Sequence, residues 1–300
     1  MQAIRSFGVI SFKQTAAVAD VLERIFTWSR KHEVHVLFHP VLKDIAPPKA
    51  DVANDKHELL NKSRAVLSIG GDGTFLSVIH LCKFSSIPVI GVNMGDLGFL
   101  TDIGPERLEE HLSRLLKGEY ALTSRMVLEA RLVRDGKELH VFHALNDIFI
   151  NRCDKPKLIS ISAWYGDEYI TDFQGDGLIV ATPSGSTAYS LAAGGPIVEP
   201  DVDTLLLTPI CPHSLTERPL LLPVHKNIRL KVDAGNCELL LSADGLDTVR
   251  VQEGDIVTVA HGGQLNNIVK LSARTHFELL RTKLGWGKNF KARDAHLYDA

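Results

Sequence analysis

One carboxylate stands inside a loop of glycines: Gly70-Gly71-Asp72-Gly73-Thr74. The loop follows an apolar run, Ala65 to Ile69, and precedes a helical pattern. It therefore falls at the carboxyl end of a strand, where open α/β sheets bind their ligands. Glycines let backbone approach a ligand closely, and a helix N-terminus offers N–H groups to phosphate. The spacing is neither a Walker loop nor the G-x-G-x-x-G fingerprint. Asp72 is the anomaly, because a carboxylate repels phosphate. It reads three ways: a base for an attacking hydroxyl, a ligand to a metal bridging phosphates, or a cap on the following helix. A second glycine turn, Gly95-Asp96-Leu97-Gly98, comes soon after Asn93 at the end of the next strand. Two such turns on neighbouring strands would form two walls of one cleft, although an ordinary connection reads equally well.

Two further segments carry polar groups in unusual places. Asp176-Gly177 opens a strand that runs into Thr182-Pro183-Ser184-Gly185-Ser186-Thr187-Ala188-Tyr189-Ser190-Leu191-Ala192. Small residues permit close contact, hydroxyls read polar edges, and Tyr189 offers a face to a purine. A serine-capped short helix is the plainer reading. Asn146-Asp147 lies within the apolar run Leu145 to Ile150, and polar pairs in a strand usually need partners. A carboxylate there can accept from both hydroxyls of a ribose diol, while Asn reads an amide or base edge. A solvent-facing strand position is the alternative.

The elements that would hold these groups fall into two kinds. In the first third, strand patterns (Phe7 to Ser11, Val34 to Phe38, Ala65 to Ile69, Pro88 to Asn93) alternate with helical ones (Ala16 to Lys31, Phe75 to Cys82, Pro105 to Leu116). That alternation implies a parallel sheet covered by helices. After Glu119, short β-rich runs separated by turns dominate: 127–133, 141–150, 159–165, 178–181, 228–232, 238–242, 247–252 and 255–260. These predict a sandwich-like antiparallel domain. The expected division is an α/β domain over 1–119, a β-rich nucleotide-binding domain over 120–275, and a tail over 276–300.

Composition narrows the partners. A net charge of -3 with no basic block argues against a nucleic-acid binder. No apolar run approaches the roughly 20 residues of a membrane span, and the N-terminus makes a poor signal peptide. Cys82, Cys153, Cys211 and Cys237 lack paired spacing, so each reads as a small buried hydrophobe in a reducing compartment, the cytoplasm. His32, His35 and His39 do not share a strand face, which speaks against a metal trio.

Taken together these motifs resemble the NAD kinase family. The glycine-aspartate loop is shared with diacylglycerol, sphingosine and 6-phosphofructo kinases, and the segment from Thr182 to Ser190 with Gly194-Gly195-Pro196 narrows it. Lys283-Leu284-Gly285-Trp286 is similar to the end of bacterial members. The resemblance implies a Rossmann-like N-terminal domain, a β-rich C-terminal domain, and a tail returning to the first. It implies ATP as phosphoryl donor, a divalent metal such as Mg²⁺, NAD as acceptor, and a homo-oligomer, dimer or tetramer. Asp72 matches the family's general base for the adenosine ribose 2′-hydroxyl. Gly71, Gly73, Thr74, Asn93, Asn146, Asp147, Lys157, Asp176, Thr187, Ala188, Tyr189, Ser190, Leu191 and Ala192 match nucleotide-contacting positions. Three positions depart from the pattern: Asp147 where Glu is usual, Gln174 where a basic residue is frequent, and Leu246 where Gln is common. A lipid or small-polyol kinase of the same superfamily and a non-catalytic dinucleotide sensor are the rival expectations.

Overall fold

In the computed structural model the described residues are all except 83–84, 96–97, 102, 154–157, 234, 236, 273 and 287–300. They divide into two compact units. Met1–Val78, Pro88–Leu122 and the residues from Val269 onward make one, while Ile79–Ile87 and Thr123–Ile268 make the other.

The first unit is built from β1 (Ser6–Ile10), α1 (Ala16–Lys31), β2 (His35–Phe38), α2 (Lys56–Lys62), β3 (Ala65–Gly70), α3 (Asp72–Leu81), β4 (Val89–Asn93) and α4 (Leu108–Lys117), the last residues of α3 from Ile79 belonging to the second unit. The strands lie parallel in the order β2-β1-β3-β4. Every residue of β3 and β4 is buried, as continuous apolar strands covered on both faces must be. Helix α1 turns Val18, Val21, Leu22 and Ile25 inward and is capped by Thr15, whose hydroxyl accepts from Val18 N–H. The helix pattern at 105–116 begins as a 3₁₀ turn over Pro105–Arg107 before α4, which ends at left-handed Gly118. Helix α3 starts at Asp72 itself, since Phe75 N–H already bonds Gly71 C=O. The glycine loop is therefore the helix's first turn.

The second unit is antiparallel. Its strands are β5 (Ala121–Arg134), β6 (Lys137–Ala144), β7 (Asp147–Arg152), β8 (Ile159–Tyr165), β9 (Glu168–Gly175), β10 (Gly177–Ala181), β11 (Thr204–Ile210), β12 (Leu220–Pro223), β13 (Ile228–Asp233), β14 (Leu239–Ala243), β15 (Asp247–Val251) and β16 (Ile256–Lys270). One helical turn, α5 (Tyr189–Ala192), follows a 3₁₀ turn over Ser184–Thr187. The end of β16 from Val269 and α6 (His276–Leu284) after it belong to the first unit. One sheet runs β12-β11-β10-β7-β14-β15, and a second brings together β16, β13, β8 and β9 with β5 and β6. Leu178, Val180, Leu205 and Leu241 of the first sheet share one core with Leu128, Ile161, Leu230 and Val257 of the second. The chain is thus an α/β N-terminal part joined to a β-rich antiparallel C-terminal part, as its pattern predicted. No helix among the described residues is long and apolar enough to cross a membrane.

Two expectations need correction. The run Val141 to Ile150 is two strands, broken at Leu145-Asn146. Apolar Leu145 and Ile148 stand on either side of the Asn146-Asp147 pair, so the run reads as one strand. Of the cysteines, Cys82 and Cys237 are buried, but Cys153 and Cys211 are exposed. Both lie where the strands of one sheet end, and Cys211 adopts a left-handed φ of 45°.

A fully buried carboxylate helps hold the second unit. Asp255 accepts from Arg134 Nε and a terminal nitrogen at 2.8 Å each, and from Gln252 N–H at 2.8 Å. Arg134→Met should cost about 3–5 kcal/mol in urea unfolding, because it strands that charge, whereas Arg134→Met with Asp255→Leu should recover most of the loss.

Candidate active site

In the first unit the site is made by two loops and one carboxylate. Asp72 does not cap its own helix; its side chain crosses to the second glycine turn. Oδ2 accepts from Phe99 N–H at 2.7 Å, and Oδ1 accepts from Leu100 N–H and the Thr101 hydroxyl at 3.1 Å each. An ionised carboxylate has about four lone-pair directions. Three are filled by described residues, and no described residue takes the fourth, on Oδ2. Gly98 is fixed by this arrangement, since a Cβ there would overlap Asp72 Oδ1 and Thr101 Oγ1. Gly70 is fixed in the same way by Thr74.

Gly71, Gly73 and Gly95 differ. A Cβ at any of them would meet nothing within 4 Å, and none has a left-handed φ. The fold does not need glycine there, whereas a ligand pressed against bare backbone would. Asn93, buried at the end of β4, accepts from Gly95 N–H at 3.2 Å and pairs by backbone with Ile103. Thr74 is buried beneath the loop.

In the second unit the broken strand forms the centre. Leu145 and Asn146 leave the ladder before β7 begins at Asp147, and the N–H groups of all three converge on the Asp244 carboxylate at 2.8, 2.7 and 3.0 Å. Thr182 holds the other side, donating its hydroxyl to Leu145 C=O at 2.6 Å and its N–H to Asn146 C=O at 2.8 Å. Gly185 must be glycine, because a Cβ would overlap the Asn146 carbonyl. Asp147 is 3% exposed, so the solvent-facing alternative does not hold for it. Burial first, then the nearby Asp244 charge, push its carboxyl up to about 7, against the opposing N–H bond from Tyr189.

The hydroxyl-rich segment is more inward-looking than its composition suggests. Ser190 is fully buried and shares a hydrogen bond of 2.9 Å with Thr208. The Thr187 hydroxyl bonds Ser184 C=O at 3.2 Å. Ala188 and Leu191 are half-buried and Ala192 is exposed. The Tyr189 ring stands edge-on to Phe149, centroids 5.2 Å apart, and burial raises its phenol. Asp176 accepts from Arg152 Nε at 2.8 Å. The structure thus groups Asn146, Asp147 and Tyr189 around one turn and sets Asp176 on a separate ion pair. Lys157 lies outside the described residues. Asp244 is the member that motif reading missed; only its place in the Asp244-Gly245 turn signalled it.

Two predictions follow from this geometry. Gly71→Ala and Gly73→Ala should leave stability within about 1 kcal/mol in thermal melts while weakening nucleotide binding in calorimetry. Gly98→Ala should instead cost about 1–3 kcal/mol by overpacking. For Asp147 the folded pKa lies above the unfolded 3.8. Its contribution to stability is then fully present below about pH 4 and is lost as pH rises through about 7. Asp147→Asn should melt higher than wild type at pH 8, with the difference vanishing near pH 4.

Comparison with known proteins bears on the whole chain. Residues 17–120 match the model of the ATP-NAD kinase N-terminal domain, and residues 145–271 match the ATP-NAD kinase C-terminal domain. The NAD kinase of Caldanaerobacter subterraneus subsp. tengcongensis is 37% identical over 286 residues, covering 94% of this chain and 99% of that protein. The NAD kinase of Geobacter sp. strain M21 is 34% identical over 96% of this chain and 100% of its own length. Among solved structures, yeast NADH kinase complexed with NADH superposes with a TM-score of 0.88 at 28% identity, covering 98% of this chain and 91% of the yeast chain. An NAD kinase from Archaeoglobus fulgidus in complex with ATP shares the fold, with a TM-score of 0.70 at 24% identity over 94% of this chain and 98% of its own. The open glycines beside Asp72, the Asn146-Asp147 turn and these matches along nearly the full length agree: the chain belongs to the NAD kinase family.

Proposed function

We propose that the chain transfers the terminal phosphoryl group of ATP to the 2′-hydroxyl of the adenosine ribose of NAD, giving NADP. The observation that carries this reading is Asp72: a carboxylate held by three donors beside glycines the fold itself does not require. Its remaining lone pair on Oδ2 suits it to take the proton from an attacking hydroxyl. Gly71 and Gly73 suit close contact with phosphate oxygens, and the start of α3 supplies N–H groups to them. The names of the relatives support NAD as acceptor, and the NADH of the yeast structure and the ATP of the other support a nicotinamide dinucleotide and a nucleoside triphosphate as the pair of ligands.

A divalent ion is the natural companion of a triphosphate. Among the described residues no group of three or more His, Cys, Asp or Glu side chains could hold one. These residues do not form a metal cage, so we place Mg²⁺ with the nucleotide, as part of the donor substrate, with phosphate and water oxygens as most of its ligands. Phosphoryl transfer asks little covalent work of the protein beyond positioning and a base. Asn146 and Asp147 suit the acceptor nucleoside. Hydroxyls donated to Asp147 favour its ionised form, so binding of NAD should release a proton as the carboxyl near pH 7 ionises. Calorimetry in buffers of different ionisation enthalpy reads that release, and Asp147→Asn should abolish it.

The reading is tested by steady-state kinetics of wild type and Asp72→Asn with ATP, Mg²⁺ and NAD. Asn keeps the shape but lacks basicity, so kcat should fall about 10²–10⁴-fold while NAD binding survives. Partial rescue by raised Mg²⁺ would make Asp72 a metal ligand instead. Activity within about twofold of wild type would remove Asp72 from the chemistry.

A further inference from the structure

The turn carrying Asn146 and Asp147 is organised by a residue far away in sequence. Asp244 follows β14, one position beyond the last rung that pairs Ala243 with Ile148 of β7. Its side chain is fully buried, its φ is 52°, and both carboxylate oxygens are saturated. Oδ1 accepts from Asn146 N–H at 2.7 Å and Asp147 N–H at 3.0 Å. Oδ2 accepts from Leu145 N–H at 2.8 Å and lies 2.8 Å from His80 Nε2, on the last turn of α3. Asp244 N–H closes the ring by bonding Asp147 C=O at 2.9 Å. Three successive amides aimed at one anion form a nest, a geometry the β ladder cannot supply.

Thr182 takes the carbonyls of Leu145 and Asn146, Asp244 takes the three amides and the carbonyl of Asp147 is bonded back to Asp244. The backbone of the turn is therefore fully satisfied. Only the side chains of Asn146 and Asp147 are left to answer a ligand, and their direction is set by the anion behind them.

We infer that Asp244, seated by His80, is the positioning residue that aims Asn146 and Asp147 at the acceptor nucleoside. The inference rests on the proposed function, since it assigns Asn146 and Asp147 to NAD. Asp244 acts through the turn and its own oxygens, all four directions filled, have no room for substrate. A residue that only stabilised the fold would leave substrate affinity and its pH dependence untouched in the surviving protein. Asp244 predicts otherwise, because its charge faces Asp147. The other groups near Asp147 are the Tyr189 N–H and phenol, and His80 stands on the far side of Asp244.

The test compares wild type, Asp244→Asn and His80→Gln for NADP formation across pH 5.5–9, which brackets the Asp147 midpoint of about 7. An Asn carboxamide offers one acceptor oxygen and turns its NH₂ toward a donor. KM for NAD should then rise about tenfold or more, with kcat and KM for ATP within a few-fold. The acid limb of kcat/KM for NAD should move to lower pH as the charge beside Asp147 is lost. His80→Gln keeps an N–H donor and the fold, and should raise KM for NAD by a smaller factor with the same selectivity. If Asp244→Asn does not fold, the His80→Gln result decides. Unchanged KM for NAD in the folded variants, beside an active wild type, would overturn the positioning role alone. A wild type that makes no NADP would overturn the proposed function and this inference with it.

Discussion

The hydrogen bonds from Phe99, Leu100 and Thr101 to the Asp72 carboxylate are the constraint on which the first unit's site depends. Without them a carboxylate in a glycine loop would turn to water or to its own helix, and the second glycine turn would have no fixed place. With them, one side chain locks two loops at the ends of neighbouring strands β3 and β4, where Gly70 and Asn93 already sit side by side in register. The glycines then separate into two groups by physical cause. Gly70, Gly91 and Gly98 are small because protein atoms crowd them, and Gly71, Gly73 and Gly95 are small although nothing does. The second group leaves bare backbone that the proposed function assigns to phosphate.

The second unit uses the same device. There a buried anion, Asp244, collects backbone amides, and the turn it builds presents a second carboxylate, Asp147, kept near neutrality by burial and by that anion. Two buried carboxylates close together cannot both ionise cheaply. On the proposed function, hydroxyls donated to Asp147 relieve this cost, which would link substrate affinity to the proton.

The parts legible in the sequence were local ones. The glycine-aspartate loop, the alternation of strands and helices up to Leu116, and the β-rich character after Glu119 all depend on spacings within a few residues. What escaped depends on distance along the chain. Asp244 meets Asn146 across 98 positions, and Arg134 meets Asp255 across 121. The break at Leu145-Asn146 was invisible because Ala144, Leu145 and Ile148 are all buried, so hydrophobicity runs through it. Strand β11 was obscured by Pro209, which breaks the usual rule for an interior strand. Strand β12 pairs with β11 only from Thr204 to Leu207, so at Pro209 one side of β11 is already an edge. The hydroxyls of Thr187 and Ser190 have partners that spacing could not show, the Ser184 carbonyl and the Thr208 hydroxyl.

The central claim is the identity of the hydroxyl that receives the phosphoryl group, and nuclear magnetic resonance of the reaction product tests it most directly. The purified chain, given ATP, Mg²⁺ and NAD, should yield one new phosphomonoester whose phosphorus couples to the 2′ carbon and proton of the adenosine ribose. Coupling to any other ribose position, or ATP consumed with NAD recovered unchanged, would contradict the account.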